Sequence, residues 1–95
     1  MRRKPRLVWD EWNKEHLKKH SVSAAEVEEV FVSKKITRLS YQNRKLLIGK
    51  TQNGRLLTVV ISKEKQTDPY VVSARDTSQK ERRYYYEQTQ TDKTI

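Results

Sequence analysis

The residues best suited to chemistry lie where a predicted strand gives way to a predicted helix. An apolar segment, Tyr70–Arg75, ends on an arginine, and Ser78 and Glu81 then have the spacing of a helix capping box. An arginine fork and a helix N-terminus both offer N–H donors and positive potential, so both suit a phosphate. No catalytic triad, metal cluster or glycine-rich loop is recognisable in the sequence. The pattern therefore predicts a phosphate-binding point at Arg75.

Two arginines of this segment are candidate catalytic residues. Arg75 would stabilise negative charge on a phosphate, and its alternative is a structural ion pair with Asp10 or Asp76. Arg82 lies in the first turn of the predicted helix, where a cation opposes the helix dipole. Either a ligand or an acid of the first helix would favour it there. The sequence leaves both alternatives open for each arginine.

Proton transfer is the chemical role with the fewest candidate side chains. Cleavage of RNA without a metal ion needs a base for the 2′-OH proton, donors for the phosphorane charge and an acid for the leaving oxygen. His20 is our candidate acid or base, with a packed or capping histidine as the alternative. Its i, i+4 partner His16 suggests a metal pair, but no third ligand is evident, so no metal and no cofactor are predicted. Tyr85 could contact RNA or pack on the sheet. Glu81 is explained by its structural role in the capping box with Ser78, so we do not predict it as a catalytic residue.

The chain is strongly basic. Its 95 residues carry a formal net charge of +9, which predicts attraction to a polyanion such as RNA. It has no cysteine, which excludes disulfide scaffolds and thiolate zinc sites. No apolar run reaches the roughly 20 residues of a membrane helix, and Met1–Trp9 lacks the apolar core of a signal peptide. We expect a soluble, cytoplasmic protein without a membrane partner.

Two helices are predicted in the N-terminal third of the chain. Asp10 has the character of an N-cap, and the helix behind it should stop near Ser21. Ser23 and Glu26 form a capping box for a second helix. Apolar residues at i, i+3 and i+4 from Val27 give that helix one apolar stripe.

Strands rich in Ile, Leu, Val and Thr follow from residue 36. They are predicted over Ile36–Tyr41, Lys45–Thr51, Arg55–Ser62 and Tyr70–Arg75, with a short extra strand at Leu7–Trp9. Asn53–Gly54 matches the two residues of a type I′ hairpin turn. That turn would place Gln52 opposite Arg55 and Ile48 opposite Val59.

This register assigns the hairpin side chains to two faces of the sheet. One face would hold Leu46, Ile48, Leu57, Val59 and Ile61. Arg44, Lys50 and Arg55 would lie toward the ends of that face, either as RNA-binding residues or as a solvated rim. Because the opposite face is also partly apolar, both faces should be covered.

The order of elements predicts an α+β domain. It consists of the short N-terminal strand, two helices, an antiparallel sheet of about four strands and one C-terminal helix that ends near Tyr86. We predict a single domain over residues 7–87. A flexible basic arm at residues 1–6 would precede it, and a disordered polar tail at residues 88–95 would follow.

Short fragments spread along the chain form an ordered set at regular spacing. They are Trp9–Asn13, Glu15–His16, Lys19–His20, Val22–Ser23, Glu26–Glu29, Arg44, Leu47–Thr51, Gly54–Arg55, Ser73–Arg75, Glu81–Arg82 and Tyr85. As a set, they resemble the BrnT family, the toxin half of a bacterial type II toxin–antitoxin pair. The resemblance covers almost the whole predicted domain and lies in the ordered set, since no single fragment is specific.

The resemblance implies a RelE-like fold, ribonuclease activity and a ribbon-helix-helix antitoxin (BrnA-like) encoded alongside. Operator DNA would be contacted only indirectly, through that antitoxin. The chain departs from the family pattern at Ser21, where a glycine usually follows the histidine, so we expect a less sharply turned helix end. The first junction between strand and helix is also one residue shorter than usual.

Two other functions are compatible with the same residues. The chain could be a basic module that holds RNA or DNA without cutting it, which would show steep salt dependence and leave RNA intact. It could also be a basic protein that docks an acidic partner, with negligible affinity for nucleic acid. A ribonuclease would cleave RNA, whereas neither of these two alternatives would.

Overall fold

A computed structural model describes residues 6–40, 42–62 and 68–89 of the chain. Most of the predicted arm, the last residue of the predicted strand Ile36–Tyr41, most of the loop before Pro69 and the tail beyond Thr89 lie outside the described residues. The described part forms three helices and one four-stranded antiparallel sheet.

The elements follow in the predicted order. They are α1 (Glu11–Lys18), α2 (Ala24–Val32), β1 (Lys35–Ser40), β2 (Arg44–Lys50), β3 (Leu56–Ser62), β4 (Val71–Asp76) and α3 (Gln79–Thr89). The strands lie side by side in chain order, each antiparallel to its neighbour. The predicted α+β fold class is therefore confirmed.

Two elements differ in extent from the prediction. The N-terminal strand is reduced to a single parallel bridge between Val8 and Tyr70, with a hydrogen bond from the Val8 N–H to the Pro69 carbonyl. Helix α3 continues to Thr89, three residues past the predicted end at Tyr86. This longer helix includes two residues that were expected in the polar tail.

Both predicted N-terminal caps are confirmed. The Asp10 carboxylate accepts from the Asn13 N–H at 2.9 Å, and the Asn13 side chain accepts from the Asp10 N–H in return. At α2, Ser23 and Glu26 exchange the same pair of bonds at 3.1 and 3.0 Å. These caps satisfy amides that have no partner inside the helix.

The end of α1 is sharply turned even though it has serine in place of glycine. Ser21 has φ +56°, the left-handed conformation that glycine normally supplies. The Val22 N–H donates to the Leu17 carbonyl and the Ser21 N–H donates to the Lys18 carbonyl, the two bonds of a Schellman motif. The expectation of a less sharp helix end was wrong, because these bonds and the burial of Val22 hold the turn.

The predicted register of the β2–β3 hairpin was wrong by one residue. The Thr51 N–H donates to the Arg55 carbonyl, and the Gly54 N–H donates to the Thr51 carbonyl at 2.9 Å. The loop therefore has three residues and ends on Gly54 at φ +88°, which is a type I turn with a glycine bulge. As a consequence Ile48 pairs with Thr58. A slip of one residue exchanges the faces of one strand relative to the other.

One face of the sheet, the packed face, is covered by α1 and α2 over β2, β3 and β4, whereas Leu39 at its β1 edge stays exposed. Its buried side chains are Leu47, Leu57, Val59, Ile61, Val71 and Ala74. They meet Leu17 of α1 and Val27 and Val30 of α2 in the main apolar core. The hairpin strands thus contribute alternate residues, which is the pattern of a half-buried antiparallel sheet.

Among the elements that the structure describes, only α3 crosses the other face, which we call the half-open face. Tyr85 of α3 packs there on Ile48 and Leu56. Beyond α3, Leu46 and Val60 are partly exposed. The register places two rows of side chains in this uncovered part, which we call the open half: Arg38, Leu46, Val60 and Ser73, then Ser40, Arg44 and Ser62.

Candidate nucleic-acid interface

Arg75 is held by a two-pronged ion pair with Glu81. Its Nη1 and Nη2 atoms donate to the two Glu81 carboxylate oxygens at 2.8 Å each. The Thr58 hydroxyl donates to the same carboxylate at 2.9 Å, and the Ser78 N–H completes the predicted capping box at 3.1 Å. The fork therefore fastens the N-terminus of α3 to β3 and β4.

This ion pair fixes the charge state of both partners. The hydrogen bond from Arg75 is the main reason why the pKa of Glu81 falls to about 2, and the bonds from Ser78 and Thr58 add to it. The same bond raises the pKa of Arg75. Glu81 is therefore a carboxylate at neutral pH and a poor proton carrier there. The structural alternative for Arg75 is thus real, although its acid is Glu81 rather than Asp10 or Asp76.

Arg75 nevertheless keeps part of its guanidinium accessible. Its side chain is 40% exposed, whereas that of Glu81 is 14% exposed. Besides the fork, its Nη1 atom donates weakly to the Asp76 carbonyl at 3.3 Å. An arginine has five N–H donors, so donors remain for a ligand.

The Tyr85 side chain lies between α3 and the sheet rather than on the surface. Its side chain is 8% exposed and packs on Ile48 and Leu56, with its ring edge-on to that of Tyr86 at 5.2 Å. This is the packing alternative that the sequence left open. Tyr85 follows Glu81 by four residues, so both point at the sheet from one side of the helix.

Arg82 and Lys50 both lie close to the ring of Tyr86. The Arg82 Cζ atom lies 5.5 Å from the centre of the Tyr86 ring, and the Lys50 Nζ atom lies 5.2 Å from it. Arg82 is thus placed against a ring rather than against an acid of α1. A cation and a ring attract each other without cancelling the charge.

Two residues that the sequence did not single out form a similar pair on the other flank of α3. The Arg38 Cζ atom lies 4.6 Å from the centre of the Tyr84 ring. They border a groove along α3, the α3 groove, which is lined by Arg38, Ser78, Lys80, Glu81, Arg83, Tyr84 and Glu87. The spacing of Glu81 and Tyr85 could have indicated that Tyr84 and Tyr86 flank the buried side of the helix.

Arg44 lies in the open half, as the corrected register requires. Its row neighbours are Ser40 and Ser62, and it stands diagonally across from Arg38 on the same face. The Arg44 side chain makes no hydrogen bond or ion pair with the described residues. Its charge is therefore available to a ligand.

Arg55 lies apart from the other predicted RNA-binding residues. Its Nη1 atom donates to both Glu26 carboxylate oxygens at 3.1 Å, and its Nε atom donates to Asp76 at 2.9 Å. The Ser21 carbonyl accepts a further bond at 2.9 Å. The prediction that Arg55 shares a face with Arg44 was wrong, because the three-residue loop turns Arg55 toward α2.

A family comparison identifies the class of protein to which this arrangement belongs. Residues 9–81 match the model of a family described as the ribonuclease toxin BrnT of a type II toxin–antitoxin system. The chain belongs to the BrnT family. Searches against curated proteins and against solved structures find no match. The matched range of BrnT includes Arg75 and Glu81 and ends before Tyr84.

His20 is separated from Arg75 and Arg82 by the sheet. Helix α1 packs on the packed face through Leu17, whereas α3 lies on the half-open face. His20 is exposed near the end of α1, with its ring edge-on to that of His16 at 5.6 Å. The structure therefore does not bring His20 together with Arg75 and Arg82.

Two further features of the described residues concern metal binding and membrane insertion. Within residues 6–40, 42–62 and 68–89, no three His, Asp or Glu side chains come together as a group that could hold a metal ion. Over the same residues, no helix has both the length and the apolarity needed to cross a membrane.

Proposed function

We propose that this chain is an endoribonuclease that cleaves RNA on its half-open face without a metal ion. The proposal rests on how the positively charged side chains of that face are held. Arg38, Lys50 and Arg82 lie over tyrosine rings, and Arg44 has no acid partner among the described residues. Positive charge is thus left uncancelled beside partly exposed sheet, which suits a single-stranded phosphate backbone. Membership of a ribonuclease family supports the activity.

Arg75 would stabilise the negative charge that develops on the phosphorane. It lies at the N-terminal end of α3, where backbone amides add positive potential. Its fork with Glu81 holds the guanidinium in one orientation, and preorganised donors are the most effective kind for a developing charge. Arg82 and Lys50 would hold RNA on the other flank of the helix, while Tyr85 positions the helix from below.

Proton transfer is assigned to the α3 groove rather than to His20. Glu81 is ionised there, so it cannot donate a proton near neutral pH. Tyr84 is half-buried, is fixed beneath Arg38 and lines the groove. Its phenol would donate a proton to the leaving 5′ oxygen, while the proton of the attacking 2′-OH passes to water. His20 would contribute only to RNA that passes around the edge of the sheet.

A cognate antitoxin would switch this activity off. The family belongs to a toxin–antitoxin system, which implies an antitoxin partner. We propose a ribbon-helix-helix (BrnA-like) antitoxin whose acidic segment covers the cations of the half-open face in the cytoplasm. Operator DNA would then be bound by the antitoxin half of the complex.

Purified protein and labelled RNA test the proposal, with EDTA present throughout. The decisive pair is Arg75→Ala and Glu81→Gln, because each breaks the ion pair but only the first removes the guanidinium. We expect Arg75→Ala to lose about 100-fold or more in cleavage rate, the usual cost of one oxyanion donor. Glu81→Gln should lose clearly less than Arg75→Ala, because the amide oxygen keeps the cap and one of the two bonds that orient Arg75.

Two outcomes of this experiment would contradict the proposal. If both lose cleavage equally and both melt earlier, Arg75 is a structural residue only. If EDTA abolishes cleavage by the unaltered chain, metal-independent cleavage is wrong. Circular dichroism of each variant shows whether it is folded.

The second candidate function is RNA binding without cleavage. It is favoured by one observation, the position of His20 on the opposite side of the sheet from Arg75. In that case RNA would bind with steep salt dependence and remain intact for hours. The same labelled RNA distinguishes the two functions directly.

A further inference from the structure

A second groove lies at the far end of the open half from α3. Trp12 of α1, Arg44 of β2 and Tyr70 line it, together with Val8, Gln42, Ser62, Asp68 and Val72. We call it the Trp12 groove. It connects the helix on the packed face with the arginine row on the half-open face.

Trp12 is an exposed aromatic residue held in a fixed orientation. Its side chain is 59% exposed, and its ring is stacked on that of His16 at 5.0 Å with an interplanar angle of 7°. It is not part of either apolar core cluster. An indole that is ordered by a neighbour but left in solvent can receive a nucleobase at low entropic cost.

The electrostatic surroundings favour nucleic acid as the occupant. Arg44 lies in the Trp12 groove, and its diagonal neighbour Arg38 lines the α3 groove, so basic surface runs from one groove to the other. Among the described residues that line the groove, Asp68 is the acid, and the Arg6 N–H donates to it at 3.4 Å. A partner protein would also use a tryptophan anchor, but it would not need a continuous path of arginines.

We propose that the Trp12 groove is a nucleotide subsite for single-stranded RNA. A base stacks on the Trp12 indole, and Arg44 binds the adjoining phosphate. The inference deepens the proposed function, because it places a second point of contact away from Arg75. RNA that lies along the open half would then be held at both ends of it.

Tryptophan fluorescence tests the stacking directly, because the chain has two tryptophans. The variant Trp9→Phe leaves Trp12 as the sole emitter, and Trp12→Phe leaves only Trp9, which is half-buried and donates to Glu28. The probe is a 2′-O-methyl RNA of about eight nucleotides, a length within the range of single-strand sites. Having no 2′-OH, it binds without being cut.

We expect this oligonucleotide to quench the emission of Trp12 and to leave the emission of Trp9 unchanged. Replacing Trp12 with alanine should weaken binding by about 5- to 100-fold, the usual range for one stacked base. Leu39→Ala is the matched control, since Leu39 is 76% exposed on the other face of β1 and should have no effect. Arg44→Ala should lower the salt slope by about 0.7.

The other possible results separate the subsite from the proposed ribonuclease activity. If the oligonucleotide binds while Trp12 emission and the affinity of Trp12→Ala stay unchanged, no base stacks there. If only the antitoxin protein changes Trp12 emission, the groove belongs to a protein partner. Quenching by the methylated probe without cleavage of ordinary RNA would keep the subsite and reject the ribonuclease. Cleavage of ordinary RNA with no change in Trp12 emission would support the ribonuclease and reject the subsite.

Discussion

Cations at two places on opposite sides of the sheet, Arg55 on one side and Arg38 with Lys50 on the other, are held in different ways. On the side of the packed face, Arg55 is bound by the carboxylates of Glu26 and Asp76. On the half-open face, Arg38 and Lys50 lie over the rings of Tyr84 and Tyr86. A carboxylate cancels the field of a cation, whereas a ring orients the cation and leaves its charge in place.

This difference lets one small domain use ion pairs in its structure and still keep positive charge on one face. The ion pairs of Arg55 link α2 to the end of β4 and belong to the structure of the domain. The cation–ring pairs stabilise exposed sites by only about 0.5–1 kcal/mol each, but they keep long side chains ordered for a ligand. Arg75 lies between these two cases, because an acid holds it and solvent still reaches it.

The largest effect is expected from the tyrosine that borders the α3 groove. Tyr84→Phe removes the proposed proton donor and should slow RNA cleavage by at least about 100-fold, the lower limit for general acid catalysis. Binding of uncleavable RNA should change little, because the ring stays beneath Arg38. Tyr86→Phe is the matched control, and a similar loss in that variant would remove Tyr84 from the mechanism. Cleavage rates on labelled RNA give both values.

Acid should weaken the domain through Glu81. Its pKa is about 2 in the folded chain, below the ordinary value of 4.5, so the unfolded chain binds more protons between these limits. The stabilisation is therefore present above about pH 4.5 and is lost as the pH falls toward 2. We expect a loss of about 2 kcal/mol in the free energy of unfolding, since the Arg75 partner is partly screened by solvent.

Denaturant unfolding across this pH range measures the effect, with Glu81→Gln as the control. The variant keeps the capping bonds and lacks the charge, so it should lose less stability in acid than the unaltered chain. Equal acid sensitivity in the two chains would mean that the Arg75–Glu81 fork contributes nothing to folding.

Much of the fold could be predicted from local signals. The capping boxes at Ser23 and Ser78 fixed two helix starts, because they depend on residues only three apart. The hairpin register could not be predicted from Asn53–Gly54 alone, since a two-residue and a three-residue loop both place glycine at a left-handed position. That single slip put Arg55 on the wrong face.

The site was less predictable than the fold for a related reason. Arg75 could be singled out as a candidate because strand end and helix start are adjacent in sequence, but its ion pair with Glu81 was not predicted, since a capping role already accounted for Glu81. Arg38 was missed because its relation to Tyr84 depends on where α3 crosses β1 and β2. Such contacts between distant elements leave no spacing in the sequence.

A smaller effect is expected on the side of the packed face. Arg55→Met should lower the free energy of unfolding by about 1–2 kcal/mol, between the values for exposed and buried ion pairs, because Glu26 is largely covered and Asp76 is not. Chemical denaturation measures this change. RNA cleavage by the folded variant should be unaltered, and a parallel loss of activity would show that Arg55 serves RNA as well.

The smallest effect concerns the turn after α1. Ser21→Gly should raise the free energy of unfolding by about 0.5–1 kcal/mol, because φ +56° strains a residue with a side chain. A thermal melt detects the change. Ser23→Gly is an informative contrast, since it removes the α2 cap and should destabilise instead.

The contrast between the two sides is tested most directly by the salt dependence of RNA affinity. Arg38→Ala and Arg44→Ala should each reduce the slope of log affinity against log salt by about 0.7, the value for one phosphate contact on a single strand. Arg55→Met should leave that slope unchanged, since its charge is already neutralised by Glu26 and Asp76. An equal reduction in all three variants would contradict the account, because RNA would then sense total charge rather than the half-open face.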